Sequence, residues 1–220
     1  MRSWPFLFVR PAGGLGFHEQ KADELKIALH PPADPVTVGA VSGSTFRVAT
    51  GDDVAAIVRL VESAYRGESS RAGWTTEADL LDGQRTDEPA VRAITVADDR
   101  VALLAFDDRQ DLLGCCELRR RPFDTAYFGM FAVVPTRQGG GIGKELLAAA
   151  EGWVVDAWGA RRMEMTVLAQ RGDLIEWYER RGYRRTGETE PFPYDDIRFG
   201  LPRQPDLHFV VMAKDLKAGI

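Results

Sequence analysis

A chain of 220 residues, 45% hydrophobic and 28% charged, has the balance of an ordinary globular protein and room for one domain plus an extension. A net charge of −5 argues against a general nucleic-acid-binding surface. No apolar run approaches the roughly 20 residues of a membrane span.

Residues 1–44 differ from the rest. The opening run MRSWPFLFVR is too short for a secretory apolar core and carries no cleavage site. Gly13, Gly14, Gly16, Pro31, Pro32 and Pro35 interrupt any long element. This segment reads as an N-terminal extension, loosely ordered or packed on a partner, ahead of a domain spanning residues 45–220.

From Phe46 the chain alternates as a strand. Asp52 and Asp53 then precede a helical period over residues 54–65, and Thr75 or Thr76 is placed to cap a second helix over residues 77–82. Pro89 opens a further helical turn through Val96. Residues 101–106, 111–119 and 126–134 are three strands joined by short turns, which predicts an antiparallel meander. The middle strand carries Cys115 and Cys116. Adjacent strand residues face opposite ways, so a bond between the two would be strained, and they read as reduced thiols of a cytoplasmic protein. After the third strand come a glycine-rich turn, a helix from Ile142, a strand over residues 162–168 and a helix ended by Gly182. A returning strand, a Pro-rich insertion over residues 189–206 and a last strand from Leu207 close the chain. A long loop of that kind is often functional. The order β-α-α-β-β-β-α-β-α-β-β predicts an α/β fold with a mixed, mainly antiparallel central sheet and helices on both faces.

The glycine turn is the most informative stretch. Glycines let successive N–H groups point into one concavity, and the helix that follows adds its unpaired N-terminal N–H groups and positive dipole end, which makes an anion site. A P-loop fails here: Gln138 stands where its first glycine belongs, and Glu145 where Ser or Thr would hold magnesium. A dinucleotide fingerprint fails because Lys144 replaces its last glycine. The remaining pattern, Q/R-x-x-G-x-G/A, is met in full by Gln138, Gly139, Gly140, Gly141, Ile142 and Gly143.

With the preceding AVVP and the following Leu146 and Leu147, this block resembles the acetyl-CoA loop of the GNAT superfamily of N-acetyltransferases, and the resemblance covers residues 45–216. It implies a GNAT-like fold. It also implies that acetyl-CoA is held by backbone N–H groups from Gln138 to Lys144, with charge added by Arg137 and Lys144, and that the pantetheine arm lies along Phe131, Ala132 and Val133. The N–H of Phe131 would polarise the thioester carbonyl. The segment WYERRGY matches the family's F-Y-x-x-x-G-F/Y signature, which makes Tyr178 the donor to the leaving thiolate. A phenol is protonated at neutral pH and suits that task.

Two positions depart from the family's pattern. Some members carry a Glu on the strand before the loop, where this chain offers only Tyr127. Glu117 on the neighbouring strand is then the best candidate base for freeing the amine, with Glu62, Glu77 and Asp195 as further options. Many relatives have Asn seven residues before the Tyr, where this chain has Arg171, placed either to meet a CoA phosphate or to cap the helix.

Tyr65, Trp74, Glu77, Tyr194 and Arg198 are the candidate acceptor-site linings, because aromatics with carboxylates suit an ammonium group. These features point to direct acetyl transfer from acetyl-CoA to the primary amine of a small molecule, without a metal, a nucleic acid or a membrane, in a monomer or a homodimer. A non-catalytic acyl-CoA-binding regulatory module and a protein or peptide N-acetyltransferase are the alternatives.

Overall fold

The computed structural model describes residues 37–41, 43–73, 76–196 and 200–217. Its centre is an eight-stranded sheet in the order β1-β2-β4-β5-β6-β7-β10-β8. The strands are β1 (Thr37–Val41), β2 (Ser44–Val48), β4 (Arg100–Phe106), β5 (Leu112–Arg121), β6 (Thr125–Val133), β7 (Arg162–Leu168), β8 (Arg184–Pro191) and β10 (His208–Asp215). A separate two-stranded pair joins β3 (Leu81–Asp82) to β9 (Leu201–Pro202). Every neighbouring pair in the large sheet is antiparallel except β6 with β7. The expected meander is β4-β5-β6, and β1 adds a strand ahead of Thr45.

Helices cover both faces. On one side lie α1 (Val54–Tyr65), the short α2 (Gly67–Ser70) and α3 (Glu88–Thr95). Helix α1 buries Val54, Ile57, Leu60, Val61, Ala64 and Tyr65, a stripe at helical spacing, and α3 buries Val91 and Ile94. These pack with Ala102, Leu104, Phe106, Cys115 and Ala132 of the sheet. Asp53 anchors the entry to α1 through a bidentate pair with Arg47 at 2.7 and 2.8 Å. Asp87 caps α3 by accepting the Ala90 N–H at 2.7 Å.

On the opposite face α4 (Ile142–Trp158) buries Leu146, Leu147, Ala150, Trp153 and Val154, and α5 (Gly172–Glu179) buries Ile175 and Tyr178. They meet the other side chains of the same strands: Leu103, Cys116, Leu118, Phe128, Met163 and Met165. Adjacent residues 115 and 116 thus belong to different cores, as strand alternation requires.

The helix expected over residues 77–82 does not form. Leu80 and Leu81 both donate to the Glu77 carbonyl at 2.8 Å, a single turn, after which the chain pairs as β3 with β9. Leu81 is needed beneath the insertion, where it packs with Leu168, Phe192 and Leu207. Burial against a distant segment outweighs a short helical period.

Candidate active site

The glycine turn sits where β6 hands over to α4. Pro135 opens a 3-10 turn, and Gly141 then caps α4 with φ 95°, a conformation that strains any side chain. The N–H of Gln138 is engaged with the Pro135 carbonyl at 3.4 Å and that of Lys144 with the Gly141 carbonyl at 2.9 Å. Among the described residues, the N–H groups of residues 139–143 meet no backbone acceptor outside the helix. The run expected from Gln138 to Lys144 is therefore free over its middle. Gly143 brings the helix start against the strand: a Cβ there would lie 3.2 Å from Phe131 Cζ and 3.7 Å from Trp177.

A cleft of about 230 Å³ opens at this point, lined by Phe131, Val133, Gln138, Gly139, Gly141, Ile142, Gly143, Lys144, Trp177 and Arg181. Free N–H groups, a helix N-terminus and two cationic side chains fit a diphosphate. Arg181 was not singled out from the sequence. It stacks on Trp177 at 3.4 Å and donates to the Trp177 carbonyl at 2.6 Å. Burial and then the neighbouring Arg180 pull its pKa below the usual arginine value. Its signal was the arginine pair between Tyr178 and Gly182. Arg137 points elsewhere, 3.8 Å from Asp107, and does not line the cleft.

Strands β6 and β7 pair only at Thr125 with Arg162, Ala126 with Met163 and Tyr127 with Glu164. Beyond Tyr127 the two separate, and no strand pairs with the outer edge of β6 along Phe131, Ala132 and Val133, although the Val133 carbonyl accepts the Gln138 side-chain N–H at 3.0 Å. A bulge facing Cys115 to Glu117 sits in the same strand, where Met130 takes φ 45°. The Phe131 carbonyl accepts the Tyr65 hydroxyl across the sheet. Burial, then the Glu77 charge, holds that phenol above the ordinary tyrosine range.

Tyr178 lies on α5 in the core beneath the donor cleft, beside Trp177, which lines it. Its ring packs against Trp177 at 5.1 Å and Tyr183 at 5.8 Å and is 4% exposed. Burial pushes its pKa well up, with Tyr65, Cys116 and Tyr127 adding in the same direction. Among the described residues the Tyr178 hydroxyl has no hydrogen-bond partner.

On the α1 and α3 face a larger cleft of about 720 Å³ is lined by residues that include Arg85, Asp87, Ile94, Arg100, Glu117, Arg119 and Leu201. Glu117 pairs in register with Gly129, beside the bulge. Burial raises its pKa above the usual carboxylate value, opposed by Arg119, Arg100 and Arg85. Its one ion pair among the described residues is with Arg100, at 3.8 Å.

The other expected residues are distributed as follows. Glu77 is engaged with Arg66 at 2.9 Å, and Glu62 accepts the N–H groups of Arg85 and Thr86 at 2.6 and 2.8 Å. Arg171 is 7% exposed; it holds Asp173 through two bonds and donates to the Thr76 carbonyl at 3.1 Å. It ties the start of α5 to the loop after α2, and it does not line the donor cleft. Tyr194 accepts the Leu207 N–H at 2.6 Å and pins the insertion. Asp195 lies on that insertion, away from Glu117's cleft lining. Trp74 and Arg198 fall outside the described residues. Arg85 and Arg119 had no sequence signal, because only the fold brings them to Glu117.

No helix among the described residues is long and apolar enough to cross a membrane. Among solved structures, the chain is similar to a chimera of the spermidine N-acetyltransferase SpeG from Vibrio cholerae and hSSAT. That match has 16% identity and a TM-score of 0.57, over 79% of this chain and 96% of that one. It is similar to nourseothricin acetyltransferase at 17% identity and TM-score 0.57, over 80% of this chain and 100% of that one. It is also similar to the ribosomal-protein-S18-alanine N-acetyltransferase from Escherichia coli, at 14% identity and TM-score 0.58, over 80% and 96%. These likenesses carry the fold. The sequence matches none of the curated proteins compared with it. The profile of the acetyltransferase (GNAT) family matches residues 54–183, more than half of the 220 residues, from the first residue of α1 to Tyr183 beyond α5. The chain therefore belongs to the GNAT acetyltransferase family and is an acyltransferase.

Proposed function

We propose that the protein transfers an acetyl group from acetyl-CoA directly to the primary amine of a small molecule. The observation that carries this reading is the donor cleft, where among the described residues the N–H groups of residues 139–143 meet no backbone acceptor outside the helix, beside Lys144 and Arg181, with Tyr178 on the adjoining α5.

Acetyl-CoA, when bound, supplies a thioester carbonyl carbon open to attack by an amine. Residues 139–143 and the first turn of α4 hold its diphosphate, with Lys144 and Arg181 adding charge. The open edge of β6 at Phe131, Ala132 and Val133 receives the pantetheine arm as a neighbouring strand would, and the N–H of Phe131 polarises the carbonyl. Glu117 accepts the proton that leaves the amine nitrogen. Its raised pKa makes it a stronger base than an exposed carboxylate. Tyr178 gives its proton to the departing sulfur. Each proton thus has one stated origin and one destination, and no acyl-enzyme is formed.

The two buried thiols, Cys115 and Cys116, are unpaired, in keeping with a reducing, cytoplasmic setting. Burial pushes Cys115 up to about 12, far from a nucleophile's range. The test is thiol release from acetyl-CoA across a panel of amines and peptides, with Tyr178→Phe as control. Release on small amines that collapses in the variant is the expected result. CoA binding without release on any acceptor would transfer the assignment to a regulatory module. Release on peptides alone would transfer it to peptide acetylation.

A further inference from the structure

The acceptor-side cleft is richer in unpaired cation than an ammonium site should be. Its carboxylates are already engaged. Asp87 caps α3, and Glu117 sits beside Arg100, while Glu62 and Glu77 behind the cleft hold backbone N–H groups and Arg66. The guanidinium groups are not. Arg85 lies over the Tyr65 ring at 5.3 Å, and Arg119 lies over the Tyr127 ring at 4.8 Å. Among the described residues, no carboxylate oxygen comes within 4.0 Å of either. Nε of Arg119 is buried with no acceptor at all. Both residues line the same cleft as Glu117.

A guanidinium stacked on an aromatic face is fixed in orientation, and its fork then matches a carboxylate. A desolvated one lacking an acceptor costs free energy that a ligand's anion would recover. We propose that the acceptor amine carries a carboxylate, as an amino acid does, and that Arg85 and Arg119 receive it while its amino group faces Glu117. This rests on the acetyltransferase reading and narrows its substrate class. A polyamine, cationic along its whole length, meets Arg85, Arg100 and Arg119 at like charge and is disfavoured. The arrangement also helps the chemistry. Fixed cations near a bound amine favour its neutral form, the form that attacks.

The test is calorimetric binding of matched N-acetylated products to the CoA-saturated protein. N-acetylated proteinogenic amino acids are compared with their carboxamides and with N-acetylspermidine. The acids are expected to bind at least about tenfold more tightly than the amides, because a built polar site rejects the analogue that leaves it unpaired. That preference is expected to disappear in Arg85→Gln and Arg119→Gln and to survive in part in Arg119→Lys. The wild-type comparison needs no variant, so a misfolded variant does not remove the test. Equal binding of acids and amides, no binding of any acid, or tighter binding of N-acetylspermidine would overturn the inference. Thiol release measured in parallel separates the two readings. An acid preference without release on any acceptor sinks the acetyltransferase reading and keeps the anion site. Release confined to carboxylate-free amines does the reverse.

Discussion

Tyr178→Phe removes one oxygen from a side chain whose ring is otherwise locked between Trp177 and Tyr183. The hydroxyl has no partner among the described residues, so no intramolecular hydrogen bond is lost and the variant's stability should stay within about 0.5 kcal/mol of the parent. If the phenol protonates the departing sulfur, kcat should fall by about 10²- to 10⁴-fold, the usual range for a positioned general acid. At 1.36 kcal/mol per decade this is about 2.7–5.4 kcal/mol of transition-state stabilisation. KM for the donor should barely change, because on the proposed reading the diphosphate is held by residues 139–143, Lys144 and Arg181, and Tyr178 does not line that cleft. Tyr178→Ala is the contrast. It deletes a 4%-exposed ring from the core and should cost about 3–5 kcal/mol of stability by cavity formation. The assay pairs thiol release with thermal unfolding on both variants. A Tyr178→Phe protein with the parent's Tm and the parent's kcat refutes the assignment, since nothing but the proton source was removed.

Four other outcomes follow from the geometry. Gly141→Ala forces a Cβ onto φ 95°, which should cost about 1–3 kcal/mol and raise the donor KM, read by unfolding and by donor titration. Glu77→Ala strands Arg66, whose Nε and Nη2 are already buried without partners, and should lower stability by about 3–5 kcal/mol in chemical denaturation. Arg171→Leu cuts the tie to the Thr76 carbonyl; acceptor KM should rise by up to about 100-fold through misplacement, with donor KM unchanged, whereas a donor KM increase would restore a phosphate contact. For Glu117, burial raises the folded-state pKa above the unfolded value, so protonation favours the folded state. Any stability it adds is present below the unfolded pKa and lost as pH rises through the folded one. Activity runs the other way, rising as Glu117 ionises; Glu117→Gln should flatten that acidic limb and leave stability at neutral pH equal or slightly higher.

The fold was legible where local signals agreed with burial. The strand-turn-strand runs over residues 101–134, the period of residues 54–65 and the Gly182 stop each described a segment whose own pattern matched its place in the fold. It was illegible where a distant partner decided. Residues 77–82 show a helical period, but Leu81 is held by Phe192 and Leu207, more than a hundred residues on. Tyr194 and Glu77 looked like substrate contacts by residue type. Their partners, the Leu207 N–H and Arg66, turn them into struts.

The same distinction divides the site itself. The proposed donor half is made chiefly of backbone: N–H groups at residues 139–143 and the edge of β6 that no strand covers. Backbone can be shaped only by a few residue types at fixed spacing, so glycines at 139, 141 and 143 announce it in the sequence. The proposed acceptor half is made of side chains from α1, the loop before α3, and strands β4 and β5. Tyr65, Arg85, Arg100, Glu117 and Arg119 have no mutual spacing that a reader of the chain could recognise. Their charge balance also inverts the sequence-level expectation. Aromatics with carboxylates such as Glu77 were expected to suit an ammonium, yet Glu77 is held by Arg66, while Arg85 and Arg119 have no carboxylate within 4.0 Å among the described residues. Net charge describes the whole surface, whereas recognition depends on which charges the fold leaves unpaired.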